Sequence, residues 1–313
     1  MTPSLPPGSA WRFGARQASF IVFVVVLLAC AIAATTRPSI ASAPVARRTP
    51  HRPAPAASRS PHRERSGTAS SPTAPASSAP ATPRPSRSPA PRDELARLAS
   101  YGLPIYCGAG KRHLVALTFD DGPGSLTPLA LRRLHRFHAK ATFFLVGKLL
   151  EEPDLVAIAS REAAAGMAFG DHTWDHVIMT GRSESFYEQQ IGRTADAVKR
   201  ATGQRPRLFR PPFEAHDRSL DRWLKAQGML EVLWSTDSED SQGATTSRVV
   251  RTVRRGIRPG AIILLHDNRG TTETALPEIL HEIRRRGLRA VTVPELLSRD
   301  PPSLDQLRSH SCR

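Results

Sequence analysis

Leu114-Val115-Ala116-Leu117-Thr118-Phe119-Asp120-Asp121-Gly122-Pro123 opens the part of the chain that reads as globular. Six residues with one small polar side chain among them make a short, buried strand. Two carboxylates and a Gly-Pro pair then stop it. The same pattern recurs downstream. Strand-like runs are read at residues 114–120, 141–147, 167–172, 208–213, 230–237, 261–267 and 288–293. Helical patterns lie between them at 127–137, 153–165, 183–201, 217–227, 246–258 and 274–286. Short apolar strands alternating with helices are βα units, whose strands run parallel under a cover of helices. The expected fold is α/β: a distorted (β/α) barrel with about seven parallel strands.

The ionisable residues fall at particular places on these strands. Asp120 and Asp121 end the first, His172 the third and Asp237 the fifth, with Asp240 just beyond it. Arg210 lies in the second half of the fourth, and His266 and Asp267 end the sixth. In a parallel barrel the C-terminal strand ends form one face, where active sites sit. Polar groups from five strands are thus expected at one mouth. Buried charge is costly unless it is paired or holds a metal.

His172 and His176 are spaced i, i+4, which on one helical turn points both imidazoles the same way. An Asp from the first strand end would complete a set of two His and one carboxylate. That set fits hydrolytic zinc, and it also fits non-haem iron with open positions. The second Asp would remain free as a base, and His266 is placed to act as an acid.

These segments, taken in order, resemble the polysaccharide deacetylases of the NodB-homology, chitin-deacetylase-like family. The resemblance rests on Thr118-Phe119-Asp120-Asp121-Gly122-Pro123, His172-Thr173-Trp174-Asp175-His176, Arg210-Pro211-Pro212-Phe213, Asp237-Ser238-Glu239-Asp240 and Leu264-Leu265-His266, and spans residues 112–297. It implies that Asp121, His172 and His176 bind one divalent metal, zinc before cobalt or manganese. It implies Asp120 as general base, Arg210 as the residue that orients it, and His266 as general acid tuned by Asp240. It also implies that the Phe213 N–H helps hold the oxyanion. The activity implied is removal of N-acetyl groups from an extracellular or cell-wall polysaccharide, peptidoglycan or chitin-like, with release of acetate. An O-acetyl esterase acting on acetylxylan and a catalytically inactive wall-binding protein are the rival readings. Glu214 and Ser241 stand where the family usually has Gly and Trp, so substrate preference does not carry over.

The N-terminal third reads differently. Residues 1–36 hold Arg12 and Arg16 before the apolar run 18–34, as a signal peptide or membrane anchor does. Residues 37–94 are rich in Pro, Ala, Ser and Arg and too poor in large apolar side chains to offset chain entropy, so a disordered linker is expected. Residues 95–313 form the catalytic domain. Residues 1–92 contain twelve Arg and one Glu, and so carry +11 of the net +16. Such a tail suits an anionic wall polymer or a lipid surface. No basic helix with interleaved aromatics supports a nucleic-acid partner. The expected location is outside the cell, anchored to the cytoplasmic membrane or secreted. Cys107 and Cys312 flank the domain and are expected to form a disulfide there.

Overall fold

The computed structural model describes residues 93–312. The expected anchor or signal segment, and the linker up to residue 92, lie outside the described residues. Among the described residues no helix is long and apolar enough to cross a membrane.

Eight strands occur in chain order: β1 Leu114–Gly122, β2 Thr142–Leu145, β3 Ala168–Asp171, β4 Leu208–Phe209, β5 Leu230–Glu231, β6 Thr236–Asp237, β7 Ile262–His266 and β8 Arg289–Val291. They pair in parallel in the order β5-β4-β3-β2-β1-β7-β6. β8 pairs the start of β1 along the edge that β2 takes further on, since β7 occupies the other edge. The two end strands, β5 and β6, are consecutive in sequence and joined only by residues 232–235. The sheet therefore curls back on itself as a distorted barrel.

One correction concerns the strand expected over 230–237, which is broken into β5 and β6. The cause lies just past β4. Arg210 Nε donates to Val232 O at 2.8 Å and Nη2 to Leu233 O at 3.1 Å. Two carbonyls at the break thus face a guanidinium instead of a neighbouring strand.

The alternation along β1 sets up the site. Val115, Leu117 and Phe119 pack outward with the helices, in a cluster with Leu134, Ile279 and Val253. Leu114 and Ala116 face the barrel interior with Phe144, Leu208, Val232 and Ile262. Successive strand side chains point to opposite faces, so Thr118 and then Asp120 continue the inner row toward the mouth. The expected helices appear within a few residues of their bounds, at Thr127–Arg136, Pro153–Ala164, Arg218–Ala226, Thr246–Gly256 and Gly270–Arg285. The stretch 183–201 is one helical run with a π-helical segment, Glu188–Gly192, inside it. Three short helices, Glu94–Ala99, Val293–Arg299 and Leu304–Ser309, were not legible as helices in the sequence. Cys107 and Cys312 are joined by a disulfide with Cα atoms 5.8 Å apart, as expected.

Candidate active site

Asp120 is the innermost acid of the mouth and is 3 % exposed. Its Oδ1 accepts from Arg210 Nη1 at 2.7 Å. Burial pushes this carboxyl above its usual range, while Arg210 and His266 pull the other way. Arg210 is fully buried, and Nη1 also donates to Thr118 Oγ1 at 2.8 Å. Its guanidinium lies over the Phe144 ring, 4.1 Å from the centroid. With Nε and Nη2 also donating to Val232 O and Leu233 O, this cation cannot swing away. It fixes Asp120 in one rotamer.

Asp121 has φ 69°, which turns its side chain out of the β1 alternation. Gly122 follows because a Cβ there would fall 2.5 Å from Asp267 Oδ2. Asp121 Oδ1 lies 3.2 Å from His176 Nε2 and 3.6 Å from His172 Nε2. That oxygen is buried and has no hydrogen-bond partner. His172 Nδ1 lies 2.7 Å from Arg210 O, a carbonyl that can only accept, so Nδ1 carries the proton and Nε2 presents its lone pair. Burial drives His172 strongly toward the neutral form, against the opposing charge of Asp121. A buried orphan carboxylate oxygen facing two imidazole nitrogens fits a divalent cation. A metal would be held by Asp121, His172 and His176, the three residues expected from the sequence.

The route to that triad differs from the helical turn inferred from the i, i+4 spacing. Residues 172–176 are a loop after β3, not a helix. Thr173 and His176 have φ 65° and 54°, and these left-handed residues aim His176 back at Asp121. Gln190 Oε1 accepts the N–H groups of Trp174 and Asp175 at 3.0 Å and pins the loop.

On the other wall, His266 ends β7. Its Nδ1 meets Asp240 Oδ1 at 2.6 Å and its backbone N–H meets Asp240 Oδ2 at 2.7 Å. Burial works against the imidazolium, yet the Asp240 hydrogen bond and the charges of Asp240, Asp120 and Asp121 outweigh it and raise the His266 pKa. The same hydrogen bonds hold Asp240 below the usual carboxylate range against its own burial. Thr272 Oγ1 also donates to Asp240 Oδ2. Phe213, after β4, has φ 60°, and its exposed ring stands edge-on to His176 with centroids 4.9 Å apart. Glu214 follows with φ 58°, and Ser241 is exposed beside Asp240.

All eight site residues expected from the sequence therefore lie in the strand ends and loops of one mouth. Thr272 was missed, and no pattern in the sequence marks it. Thr118 was missed as a partner of Arg210, although its place two residues before Asp120 puts both on the inner face.

Residues 108–232 match the family model for polysaccharide deacetylases. The chain is 33 % identical over 197 residues to a peptidoglycan-N-acetylglucosamine deacetylase of Bacillus cereus, covering 61 % of this chain and 70 % of that protein. It is 38 % identical over 184 residues to the peptidoglycan-N-acetylglucosamine deacetylase PgdA of Listeria monocytogenes, covering 58 % of this chain but only 38 % of that longer protein. Among solved structures, the Bc1960 peptidoglycan N-acetylglucosamine deacetylase superposes with a TM-score of 0.59 at 32 % identity, covering 62 % of this chain and 92 % of that one. BA3943 of Bacillus anthracis, a CE4 family pseudoenzyme, superposes with the same TM-score at 27 % identity, covering 64 % of this chain and 70 % of that one.

Proposed function

This chain belongs to the polysaccharide deacetylase family, hydrolases of carbon–nitrogen bonds other than peptide bonds, and we propose that it removes N-acetyl groups from a cell-wall polysaccharide, with peptidoglycan N-acetylglucosamine as the first candidate substrate. One observation carries this reading above all. The orphaned Asp121 Oδ1 and the Nε2 atoms of His172 and His176 converge beside a fixed acid, Asp120, in the same mouth as a proton-holding His266. A fold shared with a pseudoenzyme does not imply activity, so the case rests on these side chains.

A divalent ion held by Asp121, His172 and His176, for which we propose zinc, would polarise the acetyl carbonyl and lower the pKa of a water. The protein does the rest. Asp120, raised by burial and held by Arg210, accepts a proton from the attacking water. The Phe213 N–H, placed by its left-handed backbone, donates to the carbonyl oxygen as charge builds on it. His266, kept protonated by Asp240, delivers a proton to the departing sugar nitrogen. Acetate and a free amine result.

We place the protein outside the cytoplasmic membrane. The apolar run 18–34 supports export, and the Cys107–Cys312 disulfide suits an oxidising compartment. The deciding experiment measures acetate release by the full-length protein from peptidoglycan, N-acetyl chito-oligomers and acetylxylan, after chelation and after zinc is restored. Zinc-dependent release from an N-acetylated polymer is expected. Release from acetylxylan alone, or from none of the three, would overturn the reading.

A further inference from the structure

A second cluster of the same kind sits at the end of β5. His216 follows the 3-10 turn Pro212–Glu214 after β4. Asp217 caps the helix Arg218–Ala226 by accepting from the N–H groups of Ser219 and Leu220, and this places Asp221 in the helix's first turn. Glu231 is the last residue of β5. His216 Nδ1 lies 3.2 Å from Asp221 Oδ1 and 3.4 Å from Glu231 Oε1.

Glu231 is the unusual member. It is 4 % exposed, and neither of its carboxylate oxygens has a hydrogen-bond partner. Among the described residues no Lys or Arg forms an ion pair with Glu231 or Asp221. His216 is its sole possible charge partner there, and a buried carboxylate so little compensated is among the most costly groups a fold can contain. Two remedies exist, protonation or a cation. Burial pushes Glu231 up to about 8, with His216 opposing and Asp221 adding to the rise, so the bare cluster holds protons where a cation would displace them.

The spacing suits a metal. Ligand bonds of about 2.0–2.2 Å set donor atoms roughly 2.8–3.6 Å apart for bond angles between octahedral and tetrahedral. The 3.2 and 3.4 Å separations fall in that interval, as do the 3.2 and 3.6 Å separations around Asp121. His216 and Asp221 keep 26 % and 21 % side-chain exposure, so an ion can enter from solvent and water can complete its shell. We propose that His216, Asp221 and Glu231 form a second divalent-cation site, with a nitrogen and two oxygen donors of the zinc or manganese type, that ties the loop after β4 to the end of β5.

The test is metal counting on the full-length protein, stripped with chelator, titrated with zinc chloride, desalted and measured by mass spectrometry. Two equivalents are expected for the wild type. One should remain in His172→Ala/His176→Ala, and one in His216→Ala or Glu231→Gln, where the lost equivalent weakens by at least about tenfold. If Glu231→Gln does not fold by circular dichroism, Asp221→Asn, at a partly exposed position, gives the same reading. The proposal is overturned if the wild type takes up only the equivalent that His172→Ala/His176→Ala removes. It is equally overturned if a second equivalent survives both His216→Ala and Asp221→Asn. Loss of the catalytic-mouth site alone appears in the His172 and His176 variant, so the two sites fail separately.

Discussion

The two ends of the barrel are built to different rules. At the mouth, buried polar groups are left short of partners, as at Asp121 Oδ1 and Glu231, and the backbone is bent to aim side chains. Among the described residues, nine non-glycine residues have positive φ; Asp121, Thr173, His176, Phe213, Glu214, Glu239 and Asn268 lie at or after C-terminal strand ends, and only His138 and His310 lie elsewhere. At the opposite end the polar groups around the end of the chain are satisfied. Asp300 accepts from the N–H groups of Gly110 and Lys111, Ser303 and Gln306 form a reciprocal cap, and Cys107 bridges in backbone register to Ala261 before its disulfide to Cys312. Strained, under-satisfied sites mark function, and fully paired ones mark stability. The two ends should therefore fail in different ways when mutated.

The largest effect is expected at the triad. His172→Ala removes a buried donor whose other nitrogen is fixed by Arg210 O. Acetate release should fall below detection and bound zinc should leave the mouth, which a metal count on the variant checks. Full activity with the metal retained would show that this end is only another packed surface.

Asp120→Asn should cost about 10²–10⁴-fold in turnover, since the amide cannot take a proton. The metal should stay, because the carboxylate proposed to hold it is Asp121. Asp121→Asn should weaken zinc binding before it slows turnover at saturating zinc. The reverse order in paired zinc titrations and rate measurements would exchange the two roles.

A smaller effect separates the two walls of the mouth. His172 is buried and His266 largely so, yet burial leaves one neutral while a carboxylate holds the proton on the other. In the proposed acid role His266 would work while protonated, so activity should fall as pH rises through its raised pKa. Asp240→Asn removes the hydrogen bond and the charge that raise it. The alkaline limb of the rate–pH profile should then move to lower pH. A limb that stays in place would assign it to another group.

Much of this contrast was legible in the sequence, for a physical reason. Strand periodicity and terminal charge are local, so Asp120, Asp121, Arg210, Asp240 and His266 could be placed at strand ends from the chain alone. What was lost depends on distant partners. The break between β5 and β6 is made by Arg210, some twenty residues earlier, and the 172–176 loop is shaped by Gln190. The helical reading of His172 and His176 named the two imidazoles that meet Asp121, but by the wrong geometry. The His216, Asp221 and Glu231 cluster went unread because its members join a loop, a helix and a strand with no motif spacing. Six- or seven-residue helices are also too short for a periodic signal.

The smallest effect on catalysis, and the sharpest check on the division between the ends, is Cys312→Ser. The bridge spans 205 residues of sequence and joins the residues before β1 to the end of the chain. It lies at the opposite end of the barrel from Asp120 and His266, because Cys107 pairs with Ala261, just before β7 begins, whereas His266 ends that strand. Opening a loop of that length should cost roughly 2–4 kcal/mol, mainly by freeing the unfolded chain. For a domain of this size that is a fall of roughly 4–16 °C in melting temperature. The native packing around Cys107 would remain, since Gly108 and Ala109 still donate to Gly260 O and Asp300 O at 2.8 Å. Acetate release measured well below the new melting point should stay within about twofold of wild type, and reductant should lower the wild-type melting point to match the variant. Loss of activity in folded Cys312→Ser would mean that the closing end transmits its geometry through β7 to His266, and that the two ends are not independent.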